Sequence, residues 1–316
     1  MKHALVTGGS GFIGRHVVKK LLENEDYTVT VLDNYSNSTP QNLDEFRGNP
    51  RLVNVIEGSV EDGEVVKRAF QTHFDIVFHL AAQVNVQYSI DHPERDFSAN
   101  VVGTFNVLEE CRKQNGIFVL VSTCMVYDMA DSNKPISEIH PTRQKSPYAA
   151  SKLAAEILVE NYYYAYGLPV VILRPFNTYG PFQKTNNEGG VVTIFVNRFI
   201  EGKPILIFGD GTQTRDLLFV EDTADFIVKA GFDSRAHGKI YNAGLGKDIS
   251  INNLALLITK NKDLIQHVEH HHPQSEIIRL WCDNGKAERE LGWKPKHTLE
   301  QGIEKTFAWL QNGKKK

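Results

Sequence analysis

Tyr148 and Lys152 stand four positions apart in Tyr148-Ala149-Ala150-Ser151-Lys152, and on a helix residues at that spacing share a face. A phenol and an ammonium would then point into one space. The phenol titrates near ~10 in water, and a neighbouring cation favours its phenolate, bringing it toward the range of a working general base. Such a pair turns an alcohol into a ketone when a hydride acceptor lies beside it. A tyrosine and a lysine on an ordinary helix surface have the same spacing, so the pair acquires meaning only if the chain also holds a cofactor site.

Residues 3–7 form a short apolar run ending at Thr7, followed by Gly8-Gly9-Ser10-Gly11-Phe12-Ile13-Gly14 and an amphipathic stretch from Arg15 to Leu22. The pattern predicts strand, tight turn and helix. Gly8, Gly11 and Gly14 satisfy one glycine spacing of a dinucleotide-binding turn, and Gly9, Gly11 and Gly14 another. Glycine permits the turn, lets backbone approach a pyrophosphate and allows close helix–strand packing, while the helix N-terminus offers amide donors. A second strand, Thr28 to Leu32, ends at Asp33, where a carboxylate can bind the adenosine ribose hydroxyls. No arginine follows in Asn34-Tyr35-Ser36-Asn37, which favours NAD over NADP without excluding the latter.

The remaining pattern alternates. Strands are expected at 52–56, Ile76 to Leu80 and Ile117 to Ser122, helices at about 62–72 and from Asn100 to about Gln114, and a further strand at Val170 to Leu173. Small residues Ala81-Ala82 at a strand's carboxyl end leave room for a ligand in the crevice of a parallel sheet. Alternating strands and helices imply an α/β fold with a doubly wound parallel sheet. His79 reads as a packed core histidine. Beyond Arg174-Pro175 the chain turns to a smaller C-terminal α/β part: a loop from Pro181 to Gly190, a helix at Val192 to Glu201, a strand at Ile205 to Phe208, and helices near 250–260, 284–292 and Thr298 to Leu310, with Asp283 and Thr298 as caps. We place the dinucleotide-binding domain at 1–175, rejoined by about 215–242, and the substrate domain mainly at 176–316.

With 316 residues, 41% hydrophobic and 23% charged, the chain can bury a large core. A net charge of −3 gives no broad reason to bind nucleic acid or a membrane surface. No apolar run approaches membrane-spanning length, and the first residues open into a strand instead of a signal peptide. Cys111, Cys124 and Cys282 neither pair evenly nor show metal-ligand spacing, which points to a reducing cytoplasm. His270-His271-His272 reads as a solvated loop, and no metal site is expected.

Gly8 to Gly14, His79-Leu80-Ala81-Ala82, Asn100, Ser122-Thr123 through Val126-Tyr127, Tyr148 to Lys152, Arg174-Pro175-Phe176-Asn177 and Gly209 to Asp216 occur in the order found in extended short-chain dehydrogenases/reductases acting on nucleotide sugars. The resemblance covers nearly the whole chain. It implies a Rossmann sheet, Tyr148 as base, Lys152 on the nicotinamide ribose and Thr123 on the hydroxyl being oxidised. It further implies cofactor contacts at Phe12, Ile13, Asn34, Ser59, Val60, Leu80, Ala81, Ala82, Asn100 and Pro175. Substrate contacts are implied at Gln83, Asn177, Val192 and Arg215, with Arg279 a candidate for the phosphate from a different position. Helices near 100–114 and 147–166 commonly pair between subunits in similar proteins, implying a homodimer, and Tyr162-Tyr163-Tyr164 falls either in that interface or in the core.

Departures narrow the reading. Enzymes resembling dTDP-glucose 4,6-dehydratase carry Thr-Asp-Glu where this chain has Thr123-Cys124-Met125. The Cys124-Met125 pair is similar to the group that converts UDP-N-acetylglucosamine to its 5,6-ene, in which Cys124, a thiol titrating near ~8.5 unperturbed, would carry a proton at C6. Filling beside the sugar is the bland role for the same two residues. Gly58-Ser59 replaces the usual Gly-Asp, leaving Asp62 as the nearby acid, and His272 to Glu276 lacks the arginine that many UDP-sugar epimerases carry. The expected enzyme is a UDP-N-acetylglucosamine 5,6-dehydratase. The alternatives are a UDP-hexose 4-epimerase, a dehydratase releasing a 4-keto-6-deoxy sugar, and a non-catalytic dinucleotide-binding regulator.

Overall fold

The computed structural model describes residues 1–129, 134–186, 189–269 and 277–314; His270-His271-His272 and the stretch to Glu276 lie outside them. Apolar runs build β1 (Lys2–Thr7), β2 (Tyr27–Asp33), β3 (Leu52–Glu57), β4 (Ile76–His79), β5 (Ile117–Val121) and β6 (Val170–Pro175). After β6 the chain forms β7 (Asn177–Tyr179), β8 (Ile205–Phe208) and β9 (Thr214–Phe219), then returns as β10 (Lys239–Ala243) beside β6. The seven-stranded sheet has the order β3-β2-β1-β4-β5-β6-β10, and each of its pairings is parallel. Within β1 the residues alternate between two cores: Ala4 and Val6 join one, Leu5 the other. Burial on both faces is why these strands are almost continuously apolar.

The helices are α1 (Phe12–Leu22), α2 (Gly63–Ala69), α3 (Val86–Asp91), α4 (Pro93–Phe97), α5 (Gly103–Lys113), α6 (Pro147–Tyr166), α7 (Val191–Ile200), α8 (Val220–Phe232), α9 (Ile251–Thr259), α10 (Gly285–Leu291) and α11 (Leu299–Lys314). α1, α8 and α10 contribute to the core on one face of the large sheet, α2, α5 and α6 to that on the other. α6 has clear local causes. Ser146 accepts the Ala149 N–H at 3.2 Å, Pro147 occupies the first position, and Gly167 at φ +66° closes the last turn. The expected helix from Asn100 starts earlier: α4 passes through a π turn at Ser98–Val102 into α5, and Asn100 lies in that turn. α1 likewise begins at Phe12, three residues before Arg15.

The smaller part joins β9 to β7, to β11 (Asp248–Ser250) and to the two-residue β13 (Arg279–Leu280), while β8 pairs with β12 (Ile265–Val268). α7, α9 and α11 pack over its apolar cluster. Thr298 and Gln301 cap each other's backbone N–H at the start of α11, and the Asp283 carboxylate takes the Gly285 N–H at 2.9 Å ahead of α10. Among the described residues, no helix is long and apolar enough to cross a membrane.

Candidate active site

The carboxyl ends of β1, β2, β4, β5 and β6 converge on one edge of the large sheet. Gly8 has φ +68°, and a Cβ there would lie 2.8 Å from the Ala81 amide nitrogen; at Gly14 it would meet the Gly8 carbonyl oxygen at 2.0 Å. Turn and helix therefore pack as closely as backbone allows. No side chain caps α1, which leaves its first amides available to an anion. Asp33 is buried and binds the turn itself: Oδ2 accepts Ser10 N–H at 2.9 Å, and Oδ1 accepts Tyr35 N–H at 2.9 Å and the Ser38 hydroxyl at 3.0 Å. A glycine cradle, an uncapped helix end and an acid at the second strand fit a dinucleotide.

Other sequence-derived cofactor residues cluster here. Asn34 Nδ2 is 3.5 Å from Ser59 Oγ, Val60 packs against Gly103, and Ala81 N–H donates to Thr7 Oγ1 at 3.2 Å. Phe12, Ile13, Leu80 and Ala82 are half-buried and Pro175 is buried. Asp62 serves otherwise: it caps α2 by accepting Glu64 and Val65 N–H. His79 is buried between the hydroxyls of Thr7, at 2.9 Å, and Thr104, at 3.1 Å, and burial drives its pKa down to about 3. It is a neutral core histidine.

Tyr148 and Lys152 are both buried on α6. Lys152 Nζ donates to the Val121 carbonyl at 2.8 Å, tying α6 to the end of β5. Burial lowers the lysine to about 8, against the opposing charges of Glu156 and Asp96. Burial raises Tyr148 to about 12; the Thr123 hydroxyl pulls it down, while Cys124 and Asp96 push it up. Burial is the largest influence on the phenol. Thr123 opens the turn after β5 and accepts Met125 N–H at 3.2 Å. Thr123, Tyr148 and Lys152 thus meet at the crevice beside the glycine turn.

A model of the NAD dependent epimerase/dehydratase family matches residues 4–244. The chain belongs to this family. A putative UDP-glucose 4-epimerase of Methanocaldococcus jannaschii is 35% identical over 310 residues, covering 98% of each chain. Among solved structures, Pal from Bacillus thuringiensis is 53% identical with a TM-score of 0.95, covering 98% of this chain and 99% of that one. A UDP-glucose 4-epimerase from Thermus thermophilus in complex with NAD is 34% identical with a TM-score of 0.88, again covering 98% and 99%.

Within this family member, the substrate side departs from several expectations. Val192 is wholly enclosed in the core of the smaller part. Gln83 turns inward: Nε2 donates to Asp96 Oδ1 at 2.8 Å and to the Asn85 carbonyl at 2.9 Å, and Oε1 accepts Asn85 N–H. Arg279 is held by Asp248, with contacts of 2.7 and 3.1 Å, and lies 4.6 Å over Trp281, which balances the charge expected to meet phosphate. Arg215 Nη1 donates to the carbonyls of Thr214 at 2.8 Å and Ile277 at 2.7 Å, while Asn177, half-buried, opens β7. Cys124 is buried with Val126, Tyr127, Ile136, Phe176, Leu280 and Cys282. Burial, then the Asp216 charge, raise its thiol to about 12, with Arg215 opposing. Met125 is half-buried.

Several supports carried no sequence signal of their own. Arg174 binds Glu156 inside the protein, Nε lying 3.0 Å from Oε1, and Asp216 accepts the N–H groups of Leu245, Gly246 and Cys282. Glu156, one turn after Lys152, and Arg174, beside the expected chain exit, were in view, but only tertiary contact joins them. Ser89 takes the Tyr148 N–H at 3.1 Å.

Proposed function

We propose that the protein is an NAD-using UDP-N-acetylglucosamine 5,6-dehydratase. The observation that carries this reading is a Thr123–Tyr148–Lys152 set flanked at 124 and 125 by a thiol and a thioether, where a carboxylate pair would serve release of a 4-keto-6-deoxy sugar. NAD held there would supply a reversible hydride acceptor for C4 of the sugar. Tyr148, as phenolate, accepts the C4 hydroxyl proton and later returns it. The transient ketone acidifies the C5 proton, and its loss together with the C6 hydroxyl releases one water. Cys124, whose thiol burial raises to about 12, would give its proton to the departing C6 hydroxide, whose conjugate acid titrates near ~15.7, while the C5 proton goes to a second group that afterwards restores the thiol.

Gly8, Gly11, Gly14 and Asp33 hold the dinucleotide, and Arg215 and Asn177 the nucleotide diphosphate, with residues 1–175 and about 215–242 forming the cofactor domain and the rest mainly the sugar domain. Exposed Phe97, Val102, Phe105, Ile157 and Tyr164 on α4 through α6 support a homodimer, whereas Tyr162 is buried and donates to Glu109 at 2.5 Å. Three buried free cysteines are consistent with cytoplasm. The second reading, a UDP-hexose 4-epimerase, is favoured by the enclosure of Cys124 in a packed cluster and needs no acid or base there.

Incubation with UDP-N-acetylglucosamine and catalytic NAD, followed by mass and proton NMR of the product, separates them. Loss of one water with vinylic signals supports the 5,6-ene. An isomer of unchanged mass points to the epimerase, and a C6 methyl overturns both.

A further inference from the structure

Asp96 ends its turn of α4 four residues before Asn100 and is fully enclosed. Oδ1 accepts Gln83 Nε2 at 2.8 Å and Asn100 Nδ2 at 3.3 Å. Oδ2 has no hydrogen-bond partner among the described residues. A buried carboxylate oxygen without a donor is costly and rare in a folded protein, so this one calls for a reason.

Its surroundings supply one. Asn100 accepts Gln83 N–H at 2.8 Å and donates through Nδ2 to Ser151 Oγ at 3.0 Å, and Ser151 Oγ in turn donates to the Tyr148 carbonyl at 3.0 Å. Asp96 is thus linked through one amide to the turn of α6 that bears Tyr148 and Lys152. The titratable groups that act on this pair are Asp96 and Glu156 on Lys152 and Asp96 and Cys124 on Tyr148, while Lys152 in turn acts on neutral His79. Glu156 is already bound by Arg174. The Asp96 charge acts on Lys152 and Tyr148 alike, favouring the ammonium and disfavouring the phenolate.

We propose that Asp96 is a positioning residue for the Tyr148–Lys152 pair, holding Asn100 and Gln83 in place against α6 and providing the buried negative charge that balances Lys152. The proposal rests on reading those two residues as the reacting pair, and it is tested without sugar or cofactor. In full-length protein carrying 13Cε-lysine, NMR titration follows Lys152, its signal assigned by Lys152→Arg. From a starting value of about 8, Asp96→Asn lowers the midpoint by roughly half to one pH unit, the other lysines are unmoved, and Asp96→Glu restores it. Asp96→Ser, also uncharged, reads the same shift if the asparagine variant does not fold. A midpoint that stays or rises overturns the proposal, and so does failure of both uncharged variants to fold, which would reduce Asp96 to a structural part. A shifted midpoint in a protein that turns over no nucleotide sugar would count against the reaction assignment alone.

Discussion

Lys152 Nζ rests 2.8 Å from the carbonyl oxygen of Val121, so the ammonium is anchored to the end of β5. The anchor fixes the height of α6 over the crevice and with it the Tyr148 hydroxyl. Tyr148→Phe keeps that packing and removes only the ionisable oxygen. Turnover is expected to fall by about 10²–10⁴ while NAD still binds, as measured by cofactor fluorescence titration beside steady-state rates. Equal loss of binding and turnover would contradict a purely chemical role.

Gly14→Ala tests the cofactor turn. Its Cβ would sit 2.0 Å from the Gly8 carbonyl oxygen, a backbone atom that cannot swing aside. The expected cost is roughly 1–3 kcal/mol of stability with weakened NAD binding, read from thermal melts with and without cofactor.

The glycine turn, Asp33 and the Tyr148–Lys152 pair were legible because each rests on local rules: turn conformation, helix spacing, a strand ending in an acid. α6 covers the range near 147–166 that the resemblance implied, and Ser146, Pro147 and Gly167 mark its ends. Legibility stopped where distant segments decide. Val192 was expected among the substrate contacts, and the packing of the smaller part encloses its side chain. Asp62, the acid expected near Ser59, caps α2. The two-residue strand of Arg279 and Leu280 exists only through its pairing with Thr214 and Arg215. The π turn around Asn100 and the burial of Asp96 beneath it follow from contacts with Gln83 and Ser151, which no spacing announces.

The Arg174–Glu156 pair has side chains 4% and 3% exposed. Removing one partner leaves the other buried and uncompensated. Arg174→Met is expected to cost about 3–5 kcal/mol in urea unfolding, and the double variant with Glu156→Leu to regain much of it. Additive losses would contradict the pairing.

Stability should fall on the acid side for a specific reason. Burial holds His16 at about 4 and His79 at about 3, whereas each titrates near ~6.5 when unfolded. Below that unfolded value the unfolded chain binds protons that the folded chain refuses, so stability drops as pH falls, by up to about 1.4 kcal/mol per unit for each histidine. The loss continues until each folded value is passed. His79→Gln should show a shallower decline between pH 7 and 5 in urea unfolding; parallel declines would contradict the assignment.

Cys124→Ala is expected to suppress water loss more than C4 oxidation, seen as NADH that accumulates during a single turnover. Full dehydration in this variant would remove the thiol from the reaction.

The most direct measurement is the fate of a label. UDP-N-acetylglucosamine deuterated at C4 should, with catalytic NAD, show a slowed turnover and give a 5,6-ene that retains deuterium at C4 with its configuration unchanged. Deuterium at C6, at C4 with inverted configuration, or lost to solvent would contradict the account.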